Sequence, residues 1–123
     1  MVGAHLSSRA YDGYVIAALR GELDVLDANS LVTALGTLAT GGPIILDLEY
    51  LDFIDCRGLS ALVLGQRQAR HAGGELVLAA PQRHVLRILT ATGMIGAFSI
   101  HPSVEDALRI TQASKQQASE QRS

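Results

Sequence analysis

The chain has 123 residues, of which 48% are hydrophobic, with three Tyr, two Phe and no Trp, and its formal net charge is -2 at pH 7. This length predicts one domain, with a core built mainly from aliphatic side chains. The small, mixed charge gives no electrostatic case for binding nucleic acid or a membrane surface. The single cysteine excludes an internal disulfide and a multi-cysteine zinc site. No apolar run approaches the ~20 residues of a membrane span, and the first residues lack a signal peptide's pattern, so we expect a cytoplasmic protein.

The first third of the chain predicts a β-hairpin followed by a helix. A weak, polar strand over Ala4–Arg9, expected at a sheet edge, is joined by an Asp-Gly turn to a clear strand over Tyr14–Leu19. Residues 20–24 (RGELD) are expected to form a loop. A helix then runs from about Ala28 to Ala39, and the Thr-Gly-Gly-Pro sequence after it ends the helix.

The centre of the chain predicts a strand, a loop, a helix and a second strand. Residues 43–48 (PIILDL) form a short apolar run that is typical of a buried strand. Apolar residues then recur at helical spacing until Gly73, and residues 75–80 (ELVLAA) form the next strand. Two strands joined through one helix lie parallel with a right-handed crossover. The loop between the first strand and the helix, residues 52–58 (DFIDCRG), is therefore expected at the sheet edge where open α/β sheets bind their ligands.

The last third of the chain predicts a helix, a short strand and a final helix. The first helix runs from about Pro81 to Thr90, the strand covers Phe98–Ile100, and the final helix extends to about Ile110. The predicted fold class is α/β, a mixed β-sheet with helices packed against it in the order β-β-α-β-α-β-α-β-α. One domain is expected over residues 1–111, followed by a disordered polar tail over residues 112–123.

Four pieces of sequence, in this order and at this spacing, resemble a known family. The pieces are residues 21–24 (GELD), residues 45–54 (ILDLEYLDFI), residues 55–59 (DCRGL), and residues 73–77 (GGELV) with 92–94 (TGM). The chain is similar to the STAS domain, and specifically to the free-standing anti-sigma factor antagonists of bacteria. The resemblance implies a protein that binds an anti-sigma factor and so frees a sigma factor for transcription, with no catalysis and no cofactor. The implied partner is usually a serine kinase of the histidine-kinase-like ATPase fold.

The same resemblance places the binding face at the start of the central helix. In the family, the kinase phosphorylates a Ser or Thr that follows the helix-starting Asp, in a motif close to Asp-Ser-(Ser/Thr)-Gly. Here Cys56 holds the acceptor position and Arg57 the next one, so phosphorylation at Cys56 is not expected. Ser60, one helical turn further on, is expected to lie deeper and to be a poor substitute. The predicted partner-binding residues are Asp24, Asp55, Cys56, Arg57, Gly58 and Leu59.

Several of these residues admit other interpretations. Asp55 is a docking residue, a helix N-cap, or both. A helix amino terminus and Arg57 favour a Cys56 thiolate, so a redox- or ligand-sensing STAS module is the alternative function. We favour a small buried cysteine, because free cysteine commonly packs as a small hydrophobic residue and because the carboxylate of Asp55 opposes a second negative charge. A catalytic nucleophile is the least favoured interpretation, since no feature places a histidine beside Cys56, and the four histidines lack metal-ligand spacing.

Overall fold

The computed structural model describes residues 4–11, 14–23, 25–39 and 42–111. Within these ranges the strands are β1 (Ala4–Tyr11), β2 (Tyr14–Leu23), β3 (Ile44–Asp47), β4 (Leu51–Ile54), β5 (Leu76–Ala79) and β6 (Ser99–His101). The helices are α1 (Val25–Leu38), α2 (Cys56–His71), α3 (Arg83–Ala91) and α4 (residues 104–111), with a 3-10 helix over Met94–Ala97.

The six strands form one mixed sheet. Its order is β1-β2-β3-β5-β6, and β4 pairs with β2 outside this path. β1 is antiparallel to β2 and forms an edge of the sheet, whereas the pairs β2–β3, β2–β4, β3–β5 and β5–β6 are parallel. The parallel pairing of β3 with β5 through α2 and the edge position of β1 confirm the predicted mixed α/β sheet.

β2 is long enough to pair with two strands in succession. Its first half pairs with β3 from Val15 to Ala18, and its end pairs with β4 from Gly21 to Leu23. The register shifts between Gly21 and Glu22, where Gly21 has a φ of 95°, a left-handed value that glycine adopts at little cost. This irregularity lets β2 run past the end of β3 and reach β4.

Two sequence-based expectations about this region are wrong. Residues 20–23 belong to β2 and not to a loop, and β4 occupies part of the segment expected to be the 52–58 loop. The reason is tertiary: Leu51 and Ile54 lie in the core at 0% and 1% exposure, while the two residues between them face outward. This four-residue segment becomes a strand because β2 supplies its hydrogen-bonding partner from far along the sequence.

Each face of the sheet has its own core. On one face, apolar residues of α1, α2 and α3 pack on the strands in a cluster that is aliphatic apart from Phe98. On the other face, α4 contributes Val104, Ala107 and Leu108 to a smaller cluster around Ile45 and Val77. The predicted aliphatic core is confirmed. In the part of the chain that the structure describes, no helix has the length and apolarity needed to cross a membrane. Residues 112–123 lie outside the described residues, and their predicted disorder stays a prediction.

Candidate functional site

The sheet brings the ends of two parallel strands together beside the start of α2. Leu23, the last residue of β2, pairs with Ile54, the last residue of β4. Asp55 follows at once and precedes α2. The predicted partner contact of Asp24 falls on a residue outside the described ranges, so that role stays a prediction. The described part of the site is therefore the junction between β4 and α2.

Asp55 is the N-cap of α2. Its backbone is extended, with φ -105° and ψ -176°, and its Oδ1 atom accepts a hydrogen bond from the backbone N–H of Gly58 at 2.8 Å. Its carbonyl oxygen accepts the N–H of Leu59 at 2.9 Å. A capping carboxylate satisfies one of the unpaired donors of a helix start and interacts favourably with the helix dipole. Because Asp55 is only half-buried, its carboxylate is also within reach of a partner.

Cys56 and Arg57 form the exposed first turn of α2. Both side chains are exposed, so the favoured interpretation of Cys56 as a buried residue is wrong. The physical reason is its place at the first position of the helix, on the side away from the sheet. Arg57 has no ion-pair partner among the described residues, so its cation is available to a partner molecule. Asp55, Cys56 and Arg57 thus form one surface, which we call the α2 tip.

Gly58 and Leu59, the other predicted partner contacts, are largely buried in the structure, and their contact with a partner stays a prediction. Gly58 is buried and donates its N–H to the Asp55 cap, and Leu59 is 4% exposed and packs in the core of the helical layer. The helical period explains this arrangement, because positions three and four after the cap face the sheet. Their contribution is to hold the α2 tip in place.

Ser60 does not lie deeper than Cys56, which corrects that expectation. Its side chain is exposed, and its hydroxyl donates to the carbonyl oxygen of Cys56 at 3.0 Å. A residue four positions further along a helix returns to the same face. Ser60 therefore continues the exposed face that Cys56 begins.

The structure has a groove beside α2 that the sequence did not predict. It encloses about 430 Å³ and lies between α2 and the segment around the 3-10 helix. The residues that line it are Cys56, Leu59, Ser60, Val63, Leu64 and Arg67 on α2 and Thr92 and Met94 opposite. Leu64 is 45% exposed and Met94 is 37% exposed. The sequence feature that could have indicated the groove is Leu64, a large apolar residue that lies outside the inward-facing stripe of α2.

The residues around this groove carry positive charge. From Cys56 to Gly74 and from Arg83 to Ala97 the chain has no carboxylate. Arg70 pairs loosely with Glu75 at 3.9 Å on the surface. By contrast, the segment between β3 and α2 is acidic, and the side-chain amide of Gln82 donates to the Glu49 carbonyl and to the Asp52 carboxylate. Within the described ranges, no group of three or more His, Cys, Asp or Glu residues is placed to hold a metal ion.

Comparison with known proteins gives the family. The STAS domain model matches residues 5–107, and the chain belongs to this family. A curated relative, anti-sigma-F factor antagonist RsfA of Mycobacterium tuberculosis, is 31% identical over 105 residues, which are 82% of this chain and 82% of the relative.

Solved structures show the same fold. An anti-sigma factor antagonist from Mycobacterium paratuberculosis matches with a TM-score of 0.77 and 22% identity, over 89% of this chain and 94% of that one. The anti-sigma factor antagonist SpoIIAA, a Bacillus protein, matches in its unphosphorylated form with a TM-score of 0.73 and 21% identity, over 89% of this chain and 97% of that one. SpoIIAA is also known in a phosphorylated form.

Proposed function

We propose that the protein is an anti-sigma factor antagonist that binds an anti-sigma factor through the α2 tip and so releases a sigma factor. The observation that carries this proposal is the exposed start of α2, held by the Asp55 cap at the carboxyl end of parallel strands. The family relationship supports the class of partner, because the curated relative RsfA bears the name of an anti-sigma-F factor antagonist.

The geometry suits binding rather than catalysis. The cap hydrogen bond of 2.8 Å and the buried Gly58 and Leu59 hold the first turn of α2 rigid. A rigid surface loses little conformational freedom when a partner binds. Arg57 offers an exposed cation and Asp55 a half-exposed carboxylate, so the α2 tip presents both signs of charge to a polar partner surface. The predicted role of the protein is to occupy that surface, with no reaction of its own.

The proposed docking is not switched by phosphorylation at the start of α2. SpoIIAA exists in unphosphorylated and phosphorylated forms, whereas this chain places a thiol at the position of the family's acceptor hydroxyl. A phosphate would add roughly two negative charges beside Asp55, which is how such a modification disrupts an interface. Without the hydroxyl, the interaction is expected to be the same in the presence and absence of ATP. This holds whether the partner is a serine kinase of the ATPase fold or a protein without kinase activity.

The test is release of a sigma factor from its complex with an anti-sigma factor of the source organism. The complex carries a fluorescent sigma factor, and release is followed by anisotropy as the protein is added. We expect release by the wild type and by Arg83→Glu, a charge reversal on an exposed arginine of α3, and at least about tenfold weaker release by Arg57→Glu. No release from any anti-sigma complex would contradict the function, and full release by Arg57→Glu would contradict the α2 tip as the docking surface.

A further inference from the structure

The groove beside α2 is an apolar surface that continues directly from the α2 tip. The described residues include six large, exposed hydrophobic side chains, and two of them line this groove: Leu64 and Met94, at 45% and 37% exposure. Cys56 belongs both to the α2 tip and to the end of the groove. A contiguous exposed apolar surface of this kind marks an interaction site more often than scattered single residues do.

The spacing of the groove residues on α2 defines its shape. Cys56, Ser60, Val63 and Arg67 line it at intervals of three and four residues, so they lie on one face of the helix. From Cys56 to Arg67 this face is about 16 Å long, since an α-helix rises about 1.5 Å per residue. About three turns of a partner helix would cover that length. An amphipathic helix lying in such a groove contributes apolar anchors at positions i, i+3 or i+4, and i+7.

The charge around the groove favours a partner helix with acidic residues on its flanks. Both walls lack carboxylates, because none occurs from Cys56 to Gly74 or from Arg83 to Ala97. Arg67 lines the groove at one end, and Arg57 stands in the first turn of α2 at the other. Neither arginine has an ion-pair partner among the described residues. A segment with carboxylates on its flanks therefore complements this surface, whereas a basic segment is repelled.

Two other occupants of the groove are considered: residues 112–123 of this chain and a second copy of the chain. Residues 112–123 of this chain carry Lys115, Arg122 and one acid, Glu120, and their only aliphatic side chains are alanines. Such a sequence offers neither the apolar anchors nor the negative charge that the groove requires. A second copy of the chain is distinguishable from a different partner by its effect on the oligomeric state.

We propose that this groove receives an acidic amphipathic helix of the anti-sigma factor, and that the α2 tip and the groove together form one continuous docking surface. This inference rests on the proposed function, because it extends the same site to a second contact. Binding is then the sum of a polar contact at the tip and a helix-in-groove contact along α2. The apolar part sets much of the lifetime of the complex, and the arginines speed association and make it sensitive to salt.

The test compares paired variants of exposed residues in the sigma-release assay and in a direct calorimetric titration with the same anti-sigma factor. Leu64→Ser removes an apolar wall of the groove, and Ile110→Ser removes a side chain of similar exposure, 48% against 45%, on α4. Arg67→Glu reverses a groove charge, and Arg83→Glu reverses one outside the groove. We expect both groove variants to bind at least about tenfold more weakly than wild type, both controls to bind normally, and Arg67→Glu to lose most of the salt dependence. Thermal melts establish that all four variants are folded.

Each other outcome overturns the inference in a distinct way. If Leu64→Ser and Arg67→Glu bind like wild type while Arg57→Glu does not, the groove is not part of the interface, and the proposed function stands. If Leu64→Ser weakens binding and Arg67→Glu does not, the occupant is not acidic. If the groove variants change only self-association in sedimentation, the occupant is a second copy. If the wild type itself binds no anti-sigma factor, the proposed function and this inference fall together.

Discussion

The side-chain amide of Gln66 takes the place of a neighbouring strand beside Leu76. Gln66 is only 3% exposed; its Oε1 atom accepts the N–H of Leu76 at 2.7 Å, and its Nε2 atom donates to the carbonyl of Leu76 at 3.0 Å. The same Nε2 atom donates to the carbonyl of Ala97 at 3.1 Å. β6 begins to pair with β5 only at Val77, so Gln66 completes the hydrogen bonding one residue earlier and ties α2, which carries the proposed docking surface, to the sheet.

Replacing the buried side-chain amide of Gln66 should destabilise the protein. Gln66→Met preserves the approximate length of the side chain but leaves the N–H of Leu76 without its partner, at a cost of roughly 2–4 kcal/mol in the free energy of unfolding. Gln68→Met, on the exposed face of the same helix, should change it by less than about 0.5 kcal/mol. Urea unfolding followed by circular dichroism measures both. Equal stability of the two variants would contradict the structural role of Gln66.

Replacing either of two glycines at the contact between α1 and α2 by alanine should change the stability of the protein, in opposite directions for the two sites. A Cβ atom on Gly65 would lie 2.5 Å from Cδ1 of Leu35, which is fully buried, whereas one on Gly36 would meet the end of the exposed Gln68 side chain at 2.9 Å. Gly65→Ala should destabilise by about 1–3 kcal/mol through overpacking. Gly36→Ala should gain up to about 1 kcal/mol from helix propensity, because Gln68 can move aside. Thermal denaturation of both variants tests the prediction, and the same sign of change for both would refute it.

Ala80 adopts an unfavourable backbone conformation at the end of β5. Its φ is 54°, a left-handed value, and its N–H donates to the carbonyl of His101 at 2.9 Å. Ala80→Gly keeps this hydrogen bond and relieves the strain, so it should stabilise the protein by about 0.5–1 kcal/mol. Ala72→Gly is the matched control, because Ala72 has an ordinary φ of -81°, and glycine there should not stabilise. Stabilisation by both variants, or by neither, would contradict backbone strain at Ala80.

The wild-type protein should resist phosphorylation in the first turn of α2. With the cognate kinase and ATP, intact mass spectrometry should show no phosphate on residues 55–60. Ser60 is exposed, but its hydroxyl donates to the carbonyl of Cys56 within a formed helix, which is a poor presentation to a kinase. Cys56→Ser should accept phosphate in part, and Cys56→Ala should not. Stoichiometric phosphorylation of the wild type within residues 55–60 would contradict this prediction.

The sequence predicts the elements whose signals are local and strong. The apolar run of β3, the periodicity of α2 and its Gly73 stop identify the unit that positions the site, and Asp55 is a recognisable N-cap. β4 is not predictable in this way, because its four residues lack a regular alternation and become a strand only when β2 lies beside them. The exposure of Cys56 and the inward turn of Leu59 depend on where α2 starts relative to the sheet. The groove depends on two segments, around Leu64 and Met94, that meet only in the folded chain.

The most direct test of docking through the α2 tip is the affinity of the anti-sigma factor for two variants of Asp55, measured by titration calorimetry. Asp55→Asn retains a side-chain oxygen that caps α2, while Asp55→Lys removes the cap and reverses the charge, at a cost of only about 1 kcal/mol in stability. We expect a Kd for Asp55→Lys at least about a hundredfold above that of the wild type, a smaller loss of affinity for Asp55→Asn, and melting temperatures within a few degrees of wild type. Wild-type affinity of a folded Asp55→Lys variant would contradict docking through the α2 tip.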